Sequence, residues 1–533
     1  MRLSVLAASL VFAAISLGFL INTPTLLGPD EVYQFDRVVA AAHGDILPTP
    51  GALYVSAGVR GIERTFVVTQ EKRNAPSWAQ FVPSQRQDRK TLDQLGGNRR
   101  PVTGNVTNYM TQHPPLYFAV MGAVMWLIPD AGGLHGDTLV LLLRFFSLLL
   151  LLPLPYLFGR AALALFGAGP VSRAAPFLPL LVPGLARGAA TLNNDNLAIL
   201  IGAAVVVFSV QVMRGDRTAR TALILALLCI AGSLTKGTEL ILLAIVPIAY
   251  VVQAFRLRGL PGRNVLVVLS AGAVLSAVWW VVNLVRYGHL VPEELAWGSQ
   301  YPLATGQPRT TQPFDAGLFW STMRRSVPNR FWGALGLHEP PQLPWSMIWI
   351  LWAGLFVALA IALVRYRGRR LDLLVLWVVP AISLAAVVYT SYAHYQHYMA
   401  ISGIQGRYTY PAVFGMLLPF ASAFAVLLGR AARWTPAVVC ALGVLVSGWA
   451  VYTSVEYSWL PRGSQLAPGN WYRAFRYLAG FFPLPGVVAG LAVLLALALL
   501  VAGAFLTVRS VLAVRMPPAR SEPGSADRTP LPV

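Results

Sequence analysis

The chain has 533 residues, 56% of them hydrophobic and only 12% charged, with a formal net charge of +20. These proportions exclude an ordinary soluble globular protein and indicate a polytopic membrane protein, so the length is read as one helical bundle instead of several soluble domains. The basic balance resides in Arg clusters between apolar stretches, where it sets orientation and meets anionic headgroups. Nucleic acid is therefore a poor explanation of the charge, and none is expected as a partner.

Met1-Arg2 leads into an apolar stretch at 4–21 with no small-residue cleavage site after it, which reads as an uncleaved first span. Residues 116–128 lie between Pro114-Pro115 and Pro129-Asp130. They are short for a crossing and are predicted to form a juxtamembrane, interfacial helix. Further spans are predicted at 138–158, 176–190, 196–213, 221–234, 238–255 and 264–285, then at 344–364, 371–389, 410–428, 436–455 and 485–508. That makes about twelve at the usual helical length. With 116–128 kept out of the membrane, Arg160/Arg173, Arg214/Arg217/Arg220, Arg256/Arg258/Arg263, Arg365/Arg367/Arg369/Arg370, Arg430/Arg433 and Arg509/Arg515/Arg520 all fall on the cytoplasmic side, as do both termini.

The predicted fold class is all-α. A transmembrane domain spans 1–515, with a large first outer loop at 23–137, a second at 286–343 and smaller ones at 391–409 and 456–484. The tail at 516–533, rich in Pro, Ser and Arg, is expected to be disordered and cytoplasmic. The first loop is far larger than a connection requires, and loops of that size usually carry function. Cys229 and Cys440 both sit inside spans, so neither a disulfide framework nor a Cys metal site is expected.

Most spans are clean through the middle, without the chain of ionisable groups that an ion-coupled pump needs. Polar residues gather instead at the outer ends of helices: Asp30 and Glu31 in Gly28-Pro29-Asp30-Glu31, His113 before Pro114, Asn194 and Asp195 in Asn193-Asn194-Asp195-Asn196, Lys236, and Arg407. Asp30 and Glu31 suit helix capping, but between a span and a large outer loop they also suit a general base, with Asp30 as the base and Glu31 positioning substrate or a cation. Lys236 and Arg407 are basic residues on the outer face, against the topological bias, each beside a Gly. Such cations suit a lipid phosphate or pyrophosphate leaving group. Arg144, about 10 Å into its span, reads as structural support paired with a loop carboxylate or backbone carbonyls.

Other features weigh less. His394 and His397 have a spacing compatible with shared metal ligation but no evident third ligand, so no metal site is assigned. The basic segment 70–100 reads as solvated chain or as a lid over an anionic substrate. Trp297, Trp320, Trp332 and Trp345 suit interface anchors or sugar-stacking faces.

Pro29-Asp30-Glu31 after the first span, His113-Pro114-Pro115-Leu116-Tyr117, Arg144 with Ser147, Asn194-Asp195-Asn196, Lys236 and Gly406-Arg407-Tyr408 occur in an order that resembles the GT-C superfamily of integral-membrane glycosyltransferases. The resemblance covers most of the chain by pattern more than by identity. It points to a bacterial branch related to lipid A aminoarabinose transferases and protein mannosyltransferases, and hence to a bacterial inner membrane. It implies a polyprenyl-phosphate-linked sugar donor, a glycan, lipid or protein acceptor of the cell envelope, and inversion at the anomeric carbon. Asp30 would be the general base, Lys236 and Arg407 would meet the lipid phosphate, and Arg37 and His113 would orient donor or acceptor. No cofactor follows from these residues, and a need for a divalent cation stays open. Two other classes fit the hydropathy. A lipid or glycan transporter or flippase would show polar residues at mid-membrane and often repeat symmetry, which this chain lacks. A non-catalytic envelope assembly protein gives no reason for convergent Asp, Lys and Arg.

Overall fold

The structure, a computed structural model, describes residues 1–66, 89–101, 106–298, 314–333, 335, 342–398, 401–460 and 467–513. Residues 70–88 of the basic segment and the tail at 516–533 lie outside the described residues, as does the side chain of His397.

Among the described residues the molecule is helical, its only extended pairings being single bridges such as Tyr54 with Thr107. Eight helices among the described residues are long and apolar enough to cross a membrane, and shorter apolar helices accompany them. The first, α1 (Arg2–Asn22), leads into the outer-loop helices α2 (Glu31–Ala42) and α3 (Ala57–Phe66). The stretch predicted to be juxtamembrane forms α4 (Leu116–Leu127). It lies against α2 and carries an exposed Trp126–Leu127 end, as an interfacial helix does. Then come α5 (Gly136–Leu151) and α6 (Leu154–Phe166), which together make one long apolar rod.

The stretch 176–190, predicted as a continuous span, is instead a broken run: a 3-10 segment at Ala175–Leu181 followed by a short helix at Pro183–Ala189. Pro176, Pro179 and Pro183 explain the break, because each removes a backbone donor. Beyond it lie α7 (Asp195–Met213), α8 (Ala219–Ser233), α9 (Leu242–Leu257), α10 (Arg263–Tyr287), α11 (Trp345–Arg365), α12 (Arg370–Tyr398), α13 (Val413–Leu427), α14 (Thr435–Trp459), α15 (Pro468–Phe481) and α16 (Gly486–Leu512).

Close backbone approach at small residues holds these helices together, as expected where lipid removes the hydrophobic drive for association. A Cβ on Gly503 of α16 would lie 2.5 Å from Val11 of α1, and one on Gly272 of α10 would lie 2.6 Å from Ala226 of α8. A large apolar core runs through the bundle, and Trp332 is buried in it. That burial corrects the expectation that Trp332 anchors at the interface or stacks on sugar. A second core, including Phe35, Val39, Tyr109, Tyr117, Phe118 and Met121, lies beneath the first outer loop and fixes it as a folded cap. At its centre the fully buried Asp36 accepts bonds from Ser56 N (2.8 Å), Asn108 Nδ2 (2.7 Å) and Arg100 Nη1 (2.9 Å).

Ion pairs knit both ends of the bundle. At one end the buried Asp372 receives Arg256 at 2.6 Å, and Arg214 lies 3.6 Å away. The other end is the candidate site. Asp195 begins α7 and Arg214 follows its last residue, so this helix separates the two clusters by about 28 Å at the helical rise.

Candidate functional site

Asp30 precedes α2 in a left-handed conformation, φ 56° and ψ 15°, which Asp tolerates better than most side chains. Its carboxylate caps nothing in the helix. One oxygen accepts from the Tyr109 hydroxyl at 2.8 Å, and the other accepts from Arg407 Nη2. Burial pushes the carboxyl upward, but Arg407, the Tyr109 hydroxyl and Lys236 together outweigh it and hold Asp30 below the ordinary carboxylate range. Burial, then the Asp30 charge, keep the Tyr109 phenol well above its usual value, so it remains a donor.

The same Arg407 places its Nε 3.1 Å from Asp195 Oδ2. The first oxygen of Asp195 accepts from the Lys236 ammonium, which lies 4.4 Å above the Tyr408 ring. Asp30, Arg407, Asp195 and Lys236 thus form one alternating chain of charges. Local sequence explains each position. Asp195 occupies the first turn of α7, where a carboxylate suits the helix dipole, and its N–H donates to Asn193 Oδ1 at 2.9 Å. Lys236 follows the end of α8, pinned where Leu116 N donates 2.8 Å to Leu234 O. Arg407 sits in the 3-10 segment Gly406–Ala412, and a Cβ at Gly406 would overlap the Arg330 carbonyl. His113 feels Lys236, Asp195, Asp30 and Arg407 at once; burial first, then Lys236, lower its imidazole to about 3. It is neutral at physiological pH.

The remaining sequence-predicted residues occupy different positions. Glu31 is buried, and both of its oxygens are engaged: Oε1 by Arg144 Nε (2.7 Å) and Leu192 N (2.9 Å), Oε2 by Arg144 Nη2 (2.5 Å) and Gly28 N (2.8 Å). Arg144 also donates to the Thr23 and Pro24 carbonyls at 2.8 and 2.9 Å. Glu31 therefore ties α5 to the loop that presents Asp30, a framework role in place of the expected contact with substrate or cation. Arg37 points away from the charge chain, donating to the Asp45 and Ile46 carbonyls with its guanidinium 5.1 Å from the Phe118 ring centre. It supports the cap and does not reach the place expected of a residue that orients substrate. Asn194 is buried and accepts from Gln34 Nε2 at 3.1 Å, fastening α7 to α2. His394 Nδ1 lies 2.7 Å from Ser402 Oγ, and among the described residues no group of three metal-ligating side chains forms.

A polar pocket opens beside this chain, lined by Pro29, Arg187, Asn193, Asp195, Arg330 and Arg407, among others. At Gln405 and Gly406 it adjoins an apolar groove walled by Phe331, Trp352, Phe356, Trp377 and Leu384. Sequence reasoning missed Tyr109, Arg187 and Arg330. For Arg187 a signal existed: a charge between Gly184 and Gly188, inside a stretch read as a span. Tyr109 carried no comparable mark.

No curated protein sequence matches the chain. ArnT from Cupriavidus metallidurans in the apo state is similar in structure, with a TM-score of 0.45 and 16% identity over 94% of this chain and 73% of that one. The same protein bound to undecaprenyl phosphate gives 0.46 and 14%, over 94% and 74%. The Archaeoglobus fulgidus oligosaccharyltransferase complexed with zinc and sulfate gives 0.42 and 14%, over 88% and 55%. In sequence, residues 14–416 match the model of the predicted membrane proteins called DUF2142, and with most of its length inside that match the chain belongs to the DUF2142 family.

Proposed function

We propose that the protein is a glycosyltransferase of the GT-C kind. In this reading it moves a sugar from a polyprenyl-phosphate donor to a cell-envelope acceptor at the outer face of the bacterial inner membrane. The observation that carries the reading is Arg407 held between Asp30 and Asp195, in a pocket that meets an apolar groove at Gln405 and Gly406.

Asp30 is the only carboxylate of the charge chain that is appreciably open, its side chain 29% exposed, whereas Asp195 is locked between two cations. Asp30 takes the proton of an acceptor hydroxyl as that oxygen forms its bond to the anomeric carbon. The bond from that carbon to the phosphate oxygen breaks in the same step, and the configuration inverts. The departing phosphate gains charge beside Arg407, with Lys236 behind it. His113, neutral, contributes hydrogen bonding without a competing charge.

The resting pair also supplies a switch. With the site empty, Arg407 holds Asp30 a weak base. A phosphate that draws Arg407 toward itself relieves Asp30 of its counter-charge and raises its proton affinity, so the base strengthens only when the donor is in place. The lipid tail lies in the adjoining groove, whose wall is formed by apolar and aromatic side chains.

The reading is tested by deleting the gene and analysing the envelope by mass spectrometry. A polyprenyl-phosphate sugar should accumulate while one envelope glycan loses that sugar. The gene carrying Asp30→Asn, expressed to the parental level, should fail to reverse either change. Unchanged lipid-linked sugars in the deletion strain would remove the proposal.

A further inference from the structure

The pocket beside Arg407 has a second basic wall that the Asp30–Asp195–Lys236 chain does not use. Arg187, in the Pro183–Ala189 turn, is only 7% exposed. Among the described residues its guanidinium makes no hydrogen bond and no ion pair. Glu31 is the carboxylate that it senses, and both Glu31 oxygens are already held by Arg144 and backbone N–H groups. A buried charge without a counter-charge is costly, and proteins normally pair it or replace it with an apolar residue. Keeping one at the wall of a polar cavity calls for a ligand that supplies the missing charge.

The cavity meets that demand. Arg187 and Arg407 line it together, with Gly184, Gly188 and Asn193 between and beside them. Arg407 spends Nη2 on Asp30, while its Nη1 is buried and unbonded among the described residues. Two guanidinia with free N–H edges match the several oxygens of a phosphate better than a single ammonium does.

We propose that Arg187, with Nη1 of Arg407, forms the seat of a phosphate-type dianion, distinct from the Asp195–Lys236 pair. Resting on the transferase reading, the anion is the phosphate of the lipid carrier, because the cavity joins the apolar groove at Gln405 and Gly406. Free phosphate is the other source of the same chemistry. Arg187 is then maintained for binding at a cost to the empty protein, the reverse of a framework arginine.

The test uses the full chain in detergent and Arg187→Met, which removes the charge at similar volume. Binding of undecaprenyl phosphate, undecaprenol and inorganic phosphate is followed by native mass spectrometry and thermal shift. The parent should prefer undecaprenyl phosphate over undecaprenol by at least about tenfold, R187M should lose that preference, and Arg187→Lys should recover part of it. The ligand-free R187M protein should melt no lower than the parent. A lower melting point, or failure to fold, would make Arg187 framework and overturn the proposal. Full preference for the phosphate in R187M would place the anion elsewhere and leave the transferase reading intact. Equal binding of the two lipids by the parent would remove the carrier reading. In that case a thermal shift by inorganic phosphate that depends on Arg187 upholds the anion seat, and its absence overturns it.

Discussion

Arg407 donates to Asp30 across 377 positions of sequence, joining the start of the first outer loop to the segment that precedes α13. No local preference brings two such residues together. The pair exists because α1 and α13 end at the same face, and because the folded cap beneath α2 and α4 carries Tyr109 against the other side of Asp30. One side of the carboxylate therefore meets a cation and the other a neutral donor.

Removing the base should separate chemistry from folding. Asp30→Asn keeps the shape of the side chain and its contact with Tyr109 but takes no proton. Transfer should fall by about 10²–10⁴-fold, the usual contribution of general base catalysis. Expression level and melting temperature check that the protein still folds.

Tyr109→Phe removes one of the groups that hold Asp30 below its ordinary range. The carboxyl should then titrate at higher pH, moving the acid limb of the pH–rate profile upward. An unmoved limb would show that another group sets it.

The Asp195–Lys236 pair is buried, with 6% exposure of each side chain. Asp195→Asn strands the buried Lys236 ammonium, at a cost of about 3–5 kcal/mol, whereas Lys236→Met costs less because Asp195 keeps Arg407 3.1 Å away. Adding Lys236→Met to Asp195→Asn should recover stability over Asp195→Asn alone, because the ammonium is then no longer stranded. Melting temperatures of the four proteins, read as a double-mutant cycle, give the coupling. The same cycle on Glu31 and Arg144 should show strong coupling as well, since those side chains share two hydrogen bonds.

Acid should destabilise the protein through His113. Its folded value is lowered to about 3 from an ordinary 6.5. Between those values the unfolded chain binds a proton that the folded one refuses, so stability declines as pH falls from about 6.5 toward 3. Asp30, also depressed, acts in the same direction at the acid end: the stability it contributes is present above its unfolded value and is lost as pH falls through its folded value. His113→Asn should flatten the slope of melting temperature against pH in the upper part of that window.

Much of this arrangement was legible before any coordinates. Long apolar stretches report helix, since burial in lipid leaves the backbone few alternatives. Charges at helix ends stood out against that background, as Asp30, Asp195, Lys236 and Arg407 did. Pairing was not legible. Glu31 and Asp30 are neighbours, yet one faces Arg144 inside the frame and the other faces Arg407 and Tyr109, a division that accompanies the turn at φ 56°. For Arg37 the resemblance implied a substrate-orienting role, but its guanidinium is captured by carbonyls of its own loop. The break at 175–190 escaped notice because apolar composition masks three prolines, and it took Arg187 with it.

The central claim is chemical, and release of the lipid carrier tests it most directly. Lipid extract from the deletion strain, incubated with purified protein and envelope fragments, should yield free polyprenyl phosphate by mass spectrometry. The Asp30→Asn protein should bind the same lipid and release none. Release by D30N at the parental rate, or movement of intact lipid-linked sugar across vesicles with no phosphate freed by the parent, would contradict the account.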